Sequence, residues 1–415
     1  MLRTHRKSGV FYGWFVVLAC LVVLTSSMSM RYSFGVFFKA LEDDFGLTRA
    51  STSGIFSIHM FLACIAALLA GWAVDRYGPR LVIVCMGLFT GSSLLLVSRA
   101  SSVWHLYLSY GLLFALGTAA AYTVAVATTS RWFIKRRGIA LGIATSGASL
   151  GVLIGAPVSA YLITSYGWRT SYAIMGLIAG IIIVGSALFL RKDPAEMGAL
   201  PDGEMSDAVE VATSGHRDNR KPELSLFQAT RTRTFWLLIF TVWAYSFCLH
   251  MVLTHLVRHA IDLEISPVHA ATVLTFIAST GILGRLAGGR ISDRIGRRKI
   301  AIACAFLQAA AMLILMGSVN IWMLYLFAML YGPTYGAMDP IVVALVVENF
   351  GLRSMGAMMG MTSIFFGIGG AAGPALAGYV FDVHGSYTIA FITGVVVMLL
   401  SILSFCLLKA PAANN

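Results

Sequence analysis

Charge is what this chain lacks most. Asp, Glu, Lys and Arg together make up 12% of its 415 residues, roughly half the quarter or so found in soluble domains. With 58% apolar residues and a mean hydropathy of +0.82, a water-exposed globule is excluded and lipid is the implied solvent. Cysteine is sparse: Cys20, Cys64, Cys85, Cys248, Cys304 and Cys406 show no paired spacing, which leaves them as small apolar filler. There is no His-Glu-x-x-His run, no phosphate loop and no cluster with metal-ligand spacing. Enzyme chemistry therefore has little support, and neither a metal nor a cofactor is expected. The net charge of +12 does not read as nucleic-acid binding, because the cations are scattered among short loops and no basic domain presents them.

What is present is a series of long apolar runs. Twelve stretches are long enough to cross a bilayer at about 20 residues per helical span: 13–38, 52–74, 80–98, 104–130, 138–163, 169–190, 234–258, 267–290, 299–318, 322–348, 355–380 and 386–408. The first does not read as a signal peptide, since no small-residue cleavage site follows it and eleven more spans do. Of the 30 cations, 23 fall on the side of the amino terminus, five on the other (Lys39, Arg49, Arg99, Arg169, Arg258) and two, Arg31 and Arg285, inside spans. That asymmetry predicts both termini in the cytoplasm, in a plasma or inner membrane. The net positive charge then answers to topology and to anionic inner-leaflet lipid.

The chain also repeats itself. Gly71, Asp75, Arg76, Gly78 and Arg80 recur 218 residues later as Gly289, Asp293, Arg294, Gly296 and Arg298, with Arg297 beside the last. The same offset carries Trp104 and Tyr107 onto Trp322 and Tyr325, Gly151 and Gly155 onto Gly369 and Gly373, and Gly167 onto Gly385. A duplicated half in a mostly apolar chain is the signature of an alternating-access transporter, with its substrate site between the halves near the midplane. The expected organisation is an all-α membrane protein: a six-helix bundle over 1–190, a hydrophilic cytoplasmic linker over 191–233 with a short surface helix near 225–233, and a second six-helix bundle over 234–415.

At the repeated Gly-x3-Asp-Arg-x-Gly motif the chain resembles the major facilitator superfamily, whose loops after the second and eighth spans carry this pattern. There the Gly is expected to let a neighbouring helix approach and the Asp to bind backbone or a cation at the facing helix end, a gating latch. Positive-inside topology alone explains the arginines of the motif but not the matched Asp and Gly. The stretches Arg31 to Lys39, Phe45 to Ala50 and Trp132 to Gly142, with the basic run Lys135-Arg136-Arg137, are similar to the monocarboxylate-transporter and oxalate/formate-antiporter group. Departures exist. Span one opens only with Tyr12-Gly13-Trp14, and Gly281 stands where animal members of that group place an Asp one turn before the span-eight arginine.

Charges inside a bilayer are costly and read as functional. Arg285 lies eight residues before Asp293, about 12 Å up the helix at 1.5 Å per residue, too deep for easy snorkelling. Its counterpart one offset earlier is Ala67, so the duplicated fold does not require a cation there. A guanidinium matches a carboxylate bidentately, and the resemblance implies that a span-eight Arg holds the substrate's carboxylate. A structural ion pair is the competing reading. Asp339 is the one acid well inside a span, about 13 Å from the end near Glu348, and its counterpart is Ala121. Two readings stand for it: a proton carrier, and a structural partner of Arg285. Arg31 is expected to snorkel to the outer interface, with an outward-facing anion lure as the alternative. Tyr122, Tyr331 and Tyr335 are candidate hydroxyl donors to a cavity. His250, ahead of His59, is a candidate for substrate or proton contact. The glycines Gly147, Gly151 and Gly155, and Gly369 with Gly373, are expected to pack where the halves meet.

The predicted activity is proton-coupled symport of a small monocarboxylate such as lactate or pyruvate, by a protein functional as a monomer. The runner-up is anion exchange of the oxalate/formate type, and a non-transporting anion receptor is a remote third. The oxalate branch of the group adds a second buried cation in span eleven, and residues 354–381 hold no Lys or Arg. One buried arginine would balance one carboxylate.

Overall fold

The computed structural model describes residues 11–134, 136–197, 199–203, 226–350 and 355–408. Eleven continuous helices among them are long and apolar enough to cross a membrane. One, Gly138–Ala187, runs for 50 residues and is broken at Gly167, whose φ of 75° is open to glycine without strain. It therefore crosses twice, and the expected twelve crossings are present. They are α1 Gly13–Phe45, α2 Arg49–Tyr77, α3 Pro79–Ser98, α4 Val103–Trp132, α5 and α6 on either side of Gly167, α7 Arg233–Asp262, α8 Pro267–Ile295, α9 Arg297–Met316, α10 Ile321–Phe350, α11 Met355–His384 and α12 Thr388–Leu407. With an even number of crossings, α1 begins and α12 ends on one face.

The helix ends follow from local chemistry. Thr48 accepts a hydrogen bond from the Ser51 amide to start α2, Thr232 does the same for Phe235 in α7, and Ser266 caps α8 with Pro267 behind it. Between α2 and α3, and again between α8 and α9, the chain turns on a single residue. Gly78 has φ 82° and Gly296 has φ 106°, so the final glycine of each repeated motif is needed for its backbone. The bundle exteriors present Leu69, Leu286 and other large apolar side chains to lipid, with the duplicated Trp104 and Trp322 exposed at the starts of α4 and α10 as belt residues.

The 218-residue repeat holds in three dimensions. Gly151 and Gly155 of α5 lie against Thr25 and Ser29 of α1, while Gly369 and Gly373 of α11 lie against Trp243 and Phe247 of α7. Each contact is the other displaced by one offset. This corrects the expectation for these glycines: the stripe with Gly147, which meets Leu21 and Leu24, packs inside its own bundle. The approach between bundles uses other glycines of α11. Gly367 and Gly370 face Cys64 and Met60 of α2, and Gly378 faces Arg49 and Ser53.

Of the hydrophilic stretch, Asp202 accepts the Ile134 amide at 2.8 Å, and a short helix Leu226–Thr230 precedes α7. Residues 204–225 of the expected linker lie outside the described residues.

Candidate functional site

The seam between α8 and α10 is built from small residues. A Cβ on Gly284 would collide with the Pro333 carbonyl, one on Gly336 with the Gly281 carbonyl, and one on Gly288 with Ala337. The two backbones can touch only because these side chains are missing. That contact brings Arg285 Nη2 to 2.7 Å from Asp339 Oδ2. The Tyr245 hydroxyl of α7 donates to the other carboxylate oxygen at 3.1 Å. Gly281, where the group's animal members have an acid, is packed against the Tyr335 ring. Here the acid that faces the arginine comes from α10.

The pair borders a cavity of about 260 Å³ reached by helices of both bundles. α1 contributes Arg31 and Tyr32, α4 Tyr122, α7 Tyr245, α10 Tyr335 and Asp339, and α11 Phe366. Arg285 is 18% and Asp339 40% exposed, so the carboxylate faces the open space and the guanidinium lies mostly behind it. Arg285 also reaches across the bundles, with Nη1 3.5 Å from the Thr145 carbonyl of α5. On α10 the lining continues through Val342 and Val343 to Val346, toward the face where α1 begins.

The opposite face is closed by charge. Arg49 at the start of α2 donates two hydrogen bonds to Asp262 at the end of α7, at 2.6 and 2.9 Å. Arg258 donates to Glu42 of α1 at 2.8 Å and also pairs with Asp262. Asp382 of α11 accepts the backbone amides of Arg49 and Ala50 at 2.8 and 2.7 Å, where the helix dipole favours an anion. The Arg49 guanidinium lies 3.3 Å from the centroid of the Phe381 ring. All these contacts except Arg258 with Asp262 join the first six helices to the last six.

Of the residues singled out by sequence, Arg285, Asp339, Tyr122 and Tyr335 come together in the cavity. Three expectations are corrected. Tyr331 is fully buried and stacked on Phe327, behind the wall. His250 is fully buried one layer back, its Nδ1 2.9 Å from the Ser246 carbonyl and 3.1 Å from that residue's hydroxyl. Arg31 does not snorkel outward: it lines the cavity. Helix length contributes, since α1 continues to Phe45, past the end read from hydropathy, which puts Arg31 near the middle of the helix. His59 is likewise buried, stacked on Phe114.

On the face where α1 begins, the described contacts of the repeated motif stay within its own bundle. Arg297 donates to Asp293 at 3.2 Å and to the Ala344 carbonyl at 3.1 Å, and pairs with Glu348 at 3.1 Å. Arg76 lies over the Trp72 and Tyr77 rings. A Cβ on Gly71 would meet only Thr123 at 3.8 Å, so the expected close approach there is not made. Arg80 is exposed at the start of α3 and Arg294 at the end of α8. The side chain of Asp75, the surroundings of Gly289 and the whole of Lys135 lie outside the described residues.

Sequence reasoning missed Tyr32, Tyr245 and Phe366 as lining residues, and the whole ionic closure of the far face. The second had a signal, because Glu42, Arg49, Arg258, Asp262 and Asp382 all sit at helix ends on one side. Their partnership between bundles, across 213 or more residues, had none. Among the described residues no group of His, Cys, Asp and Glu could hold a metal ion.

The sequence profile described as Major Facilitator Superfamily matches residues 18–292 and 258–415. Over 387 residues the chain is 28% identical to monocarboxylate transporter 13 of Bos taurus, covering 92% of this chain and 85% of that one. It is 26% identical to monocarboxylate transporter 12-B of Danio rerio, covering 94% and 87%, and 25% identical to monocarboxylate transporter 4 of Gallus gallus, covering 97% and 85%. In fold it is similar to a bacterial homologue of the human lysosomal transporter Spinster in an inward-facing, unoccupied conformation. There the TM-score is 0.72 at 17% identity, with 96% and 97% of the two chains covered.

Proposed function

The chain belongs to the Major Facilitator Superfamily, and from that premise we propose that it carries small monocarboxylates together with a proton by alternating access. The observation that carries this reading is the Arg285–Asp339 pair at 2.7 Å, facing a cavity between the bundles. An ionised Asp339 occupies the fork that a substrate carboxylate needs. A proton on Asp339 cancels its charge and releases the guanidinium, so proton and carboxylate bind together. Loss of the proton restores the internal pair and displaces the carboxylate. Competition for one guanidinium thus couples one proton to one anion, and Arg285 and Asp339 neutralise each other while the protein returns. Tyr245 holds the carboxylate in register, and Tyr122 and Tyr335 line the path of the acid's body.

On this reading the face where α1 begins is cytoplasmic, both termini lie there, and the ionic closure is the external gate of an inward-facing state. Residues 1–190 and 234–415 are the bodies that rock, 191–233 joins them, and the repeated motif latches the cytoplasmic side in the opposite state. The experiment is uptake into proteoliposomes of purified protein with an imposed pH gradient, across a panel of monocarboxylates. Accumulation that follows the inward proton gradient supports the proposal, and uptake indifferent to it removes the symport. An exchange reading has Arg31 in its favour, since a second cation leaves the cavity positive between substrates. It predicts that label moves only against unlabelled anion on the far side.

A further inference from the structure

Among the described residues three charges line the cavity: Arg31, Arg285 and Asp339. Each has an apolar counterpart one 218-residue offset away, Leu249, Ala67 and Ala121, so none is demanded by the duplicated fold. Two of the three are paired with each other. Arg31 is different, because no carboxylate among the described residues lies within ion-pair distance of it. Its Nε is buried with no hydrogen-bond partner. The polar groups around it are uncharged hydroxyls: Tyr32 beside its guanidinium, and Tyr110, which donates to its backbone carbonyl at 3.3 Å. The histidines within its electrostatic reach, His59 and His250, supply no negative charge. A cation held inside a membrane protein without a counter-charge is costly. A ligand that supplies the counter-charge is bound in proportion.

We propose that Arg31 is a second anion-binding residue of this cavity, and that the site takes short dicarboxylates, one carboxylate on Arg31 and the other on Arg285. The inference rests on the carboxylate-binding reading of the cavity and extends its substrate class. With a proton on Asp339 the Arg285 guanidinium is released beside the already unpaired Arg31, and the cavity carries two positive charges. A monoanion leaves one of them uncompensated, whereas a dianion neutralises both. The placement of the two arginines adds a mechanical consequence. Arg31 belongs to α1 of the first bundle and Arg285 to α8 of the second, so a dicarboxylate ties the two bodies together. Tyr32, next in sequence to Arg31, lies within electrostatic reach of Arg285 and Asp339 as well, which places all three charges around one space.

The test is direct binding to the purified full-length protein, by calorimetry at fixed pH, of unbranched C2 to C6 dicarboxylates and the monocarboxylates of matched length. The expected result is that the best dicarboxylate binds about tenfold or more tighter than its matched monocarboxylate. Arg31→Gln should remove that advantage, bringing the two classes to within about threefold of each other, and Arg31→Lys should restore part of it. Equal affinities in the unaltered protein would overturn the inference, as would a dicarboxylate advantage that survives Arg31→Gln. Monocarboxylate binding with no dicarboxylate advantage sinks this inference alone, whereas binding of neither class sinks the carboxylate reading beneath it as well. Should Arg31→Gln fail to give monodisperse protein, the comparison within the unaltered protein and the Arg31→Lys variant still decide.

Discussion

At the scale of single residues, the site turns on which group the Arg285 fork holds. Arg285→Lys keeps the charge and loses the planar pair of donors, and Arg285→Ala leaves Asp339 facing the cavity without its cation. Both variants are expected to lose carboxylate uptake by about two orders of magnitude or more, while size-exclusion profiles in detergent stay unchanged. Uptake near the unaltered level in the alanine variant would remove Arg285 from the substrate's path. Asp339 makes a separate prediction. Asp339→Asn mimics the protonated acid permanently and leaves Arg285 available, so substrate should still exchange across the vesicle membrane. Accumulation driven by an inward proton gradient should vanish. Accumulation that persisted in Asp339→Asn would mean that the proton travels elsewhere, and Asp339 would revert to a structural partner.

Between elements, two contacts of different chemistry oppose each other. The α8–α10 seam is made by missing side chains and sets where Arg285 meets Asp339, while the ionic closure joins α1 and α2 to α7 and α11 on the far face. Arg49 is its centre, since it pairs with Asp262, lies against Phe381 and has its amide held by Asp382. Arg49→Ala removes the side-chain contacts, while the backbone bonds to Asp382 remain. The expected outcome is a shift of the resting population toward the state open on that face. Spin labels at the far ends of α1 and α7 should report it as longer distances, with the distances on the other face shortened. An unchanged distance distribution would show that apolar packing, such as Gly35 against Leu253, closes that face without help from the ions.

For the molecule as a whole, topology is the checkable quantity. An even number of crossings puts the start of α1 and the end of α12 on one face, and the excess of cations on that side predicts that it is cytoplasmic and holds both termini. Peptide tags at either terminus, and one inserted in 204–225, should be accessible to antibody only after the inner face of sealed right-side-out vesicles is exposed. A tag reached from outside would reverse the orientation and, with it, which face the ionic closure gates.

Much of this was legible in one dimension because a bilayer leaves few choices. Backbone polar groups in lipid must be satisfied within a helix, so span count, the paired bundles and the duplicated turn glycines could all be read from runs and repeats. Arg285 and Asp339 stood out for the same reason, as charges in apolar segments whose counterparts are alanines. Composition could not supply the helix ends and faces. α1 runs on to Phe45 because its outer part packs against α7, which turns Arg31 from an interfacial residue into a cavity residue. Tyr331 and Tyr335, one helical turn apart, look alike in sequence, yet the first is fully buried behind the wall and only the second lines the cavity. The far-face ion pairs join residues more than 200 positions apart, and no local pattern encodes which cation meets which acid. The sequence by itself determined the solvent, the number of crossings and the presence of buried charge. Partnership among those charges was decided only by tertiary structure, because it depends on how closely particular helices approach and which faces they turn to one another.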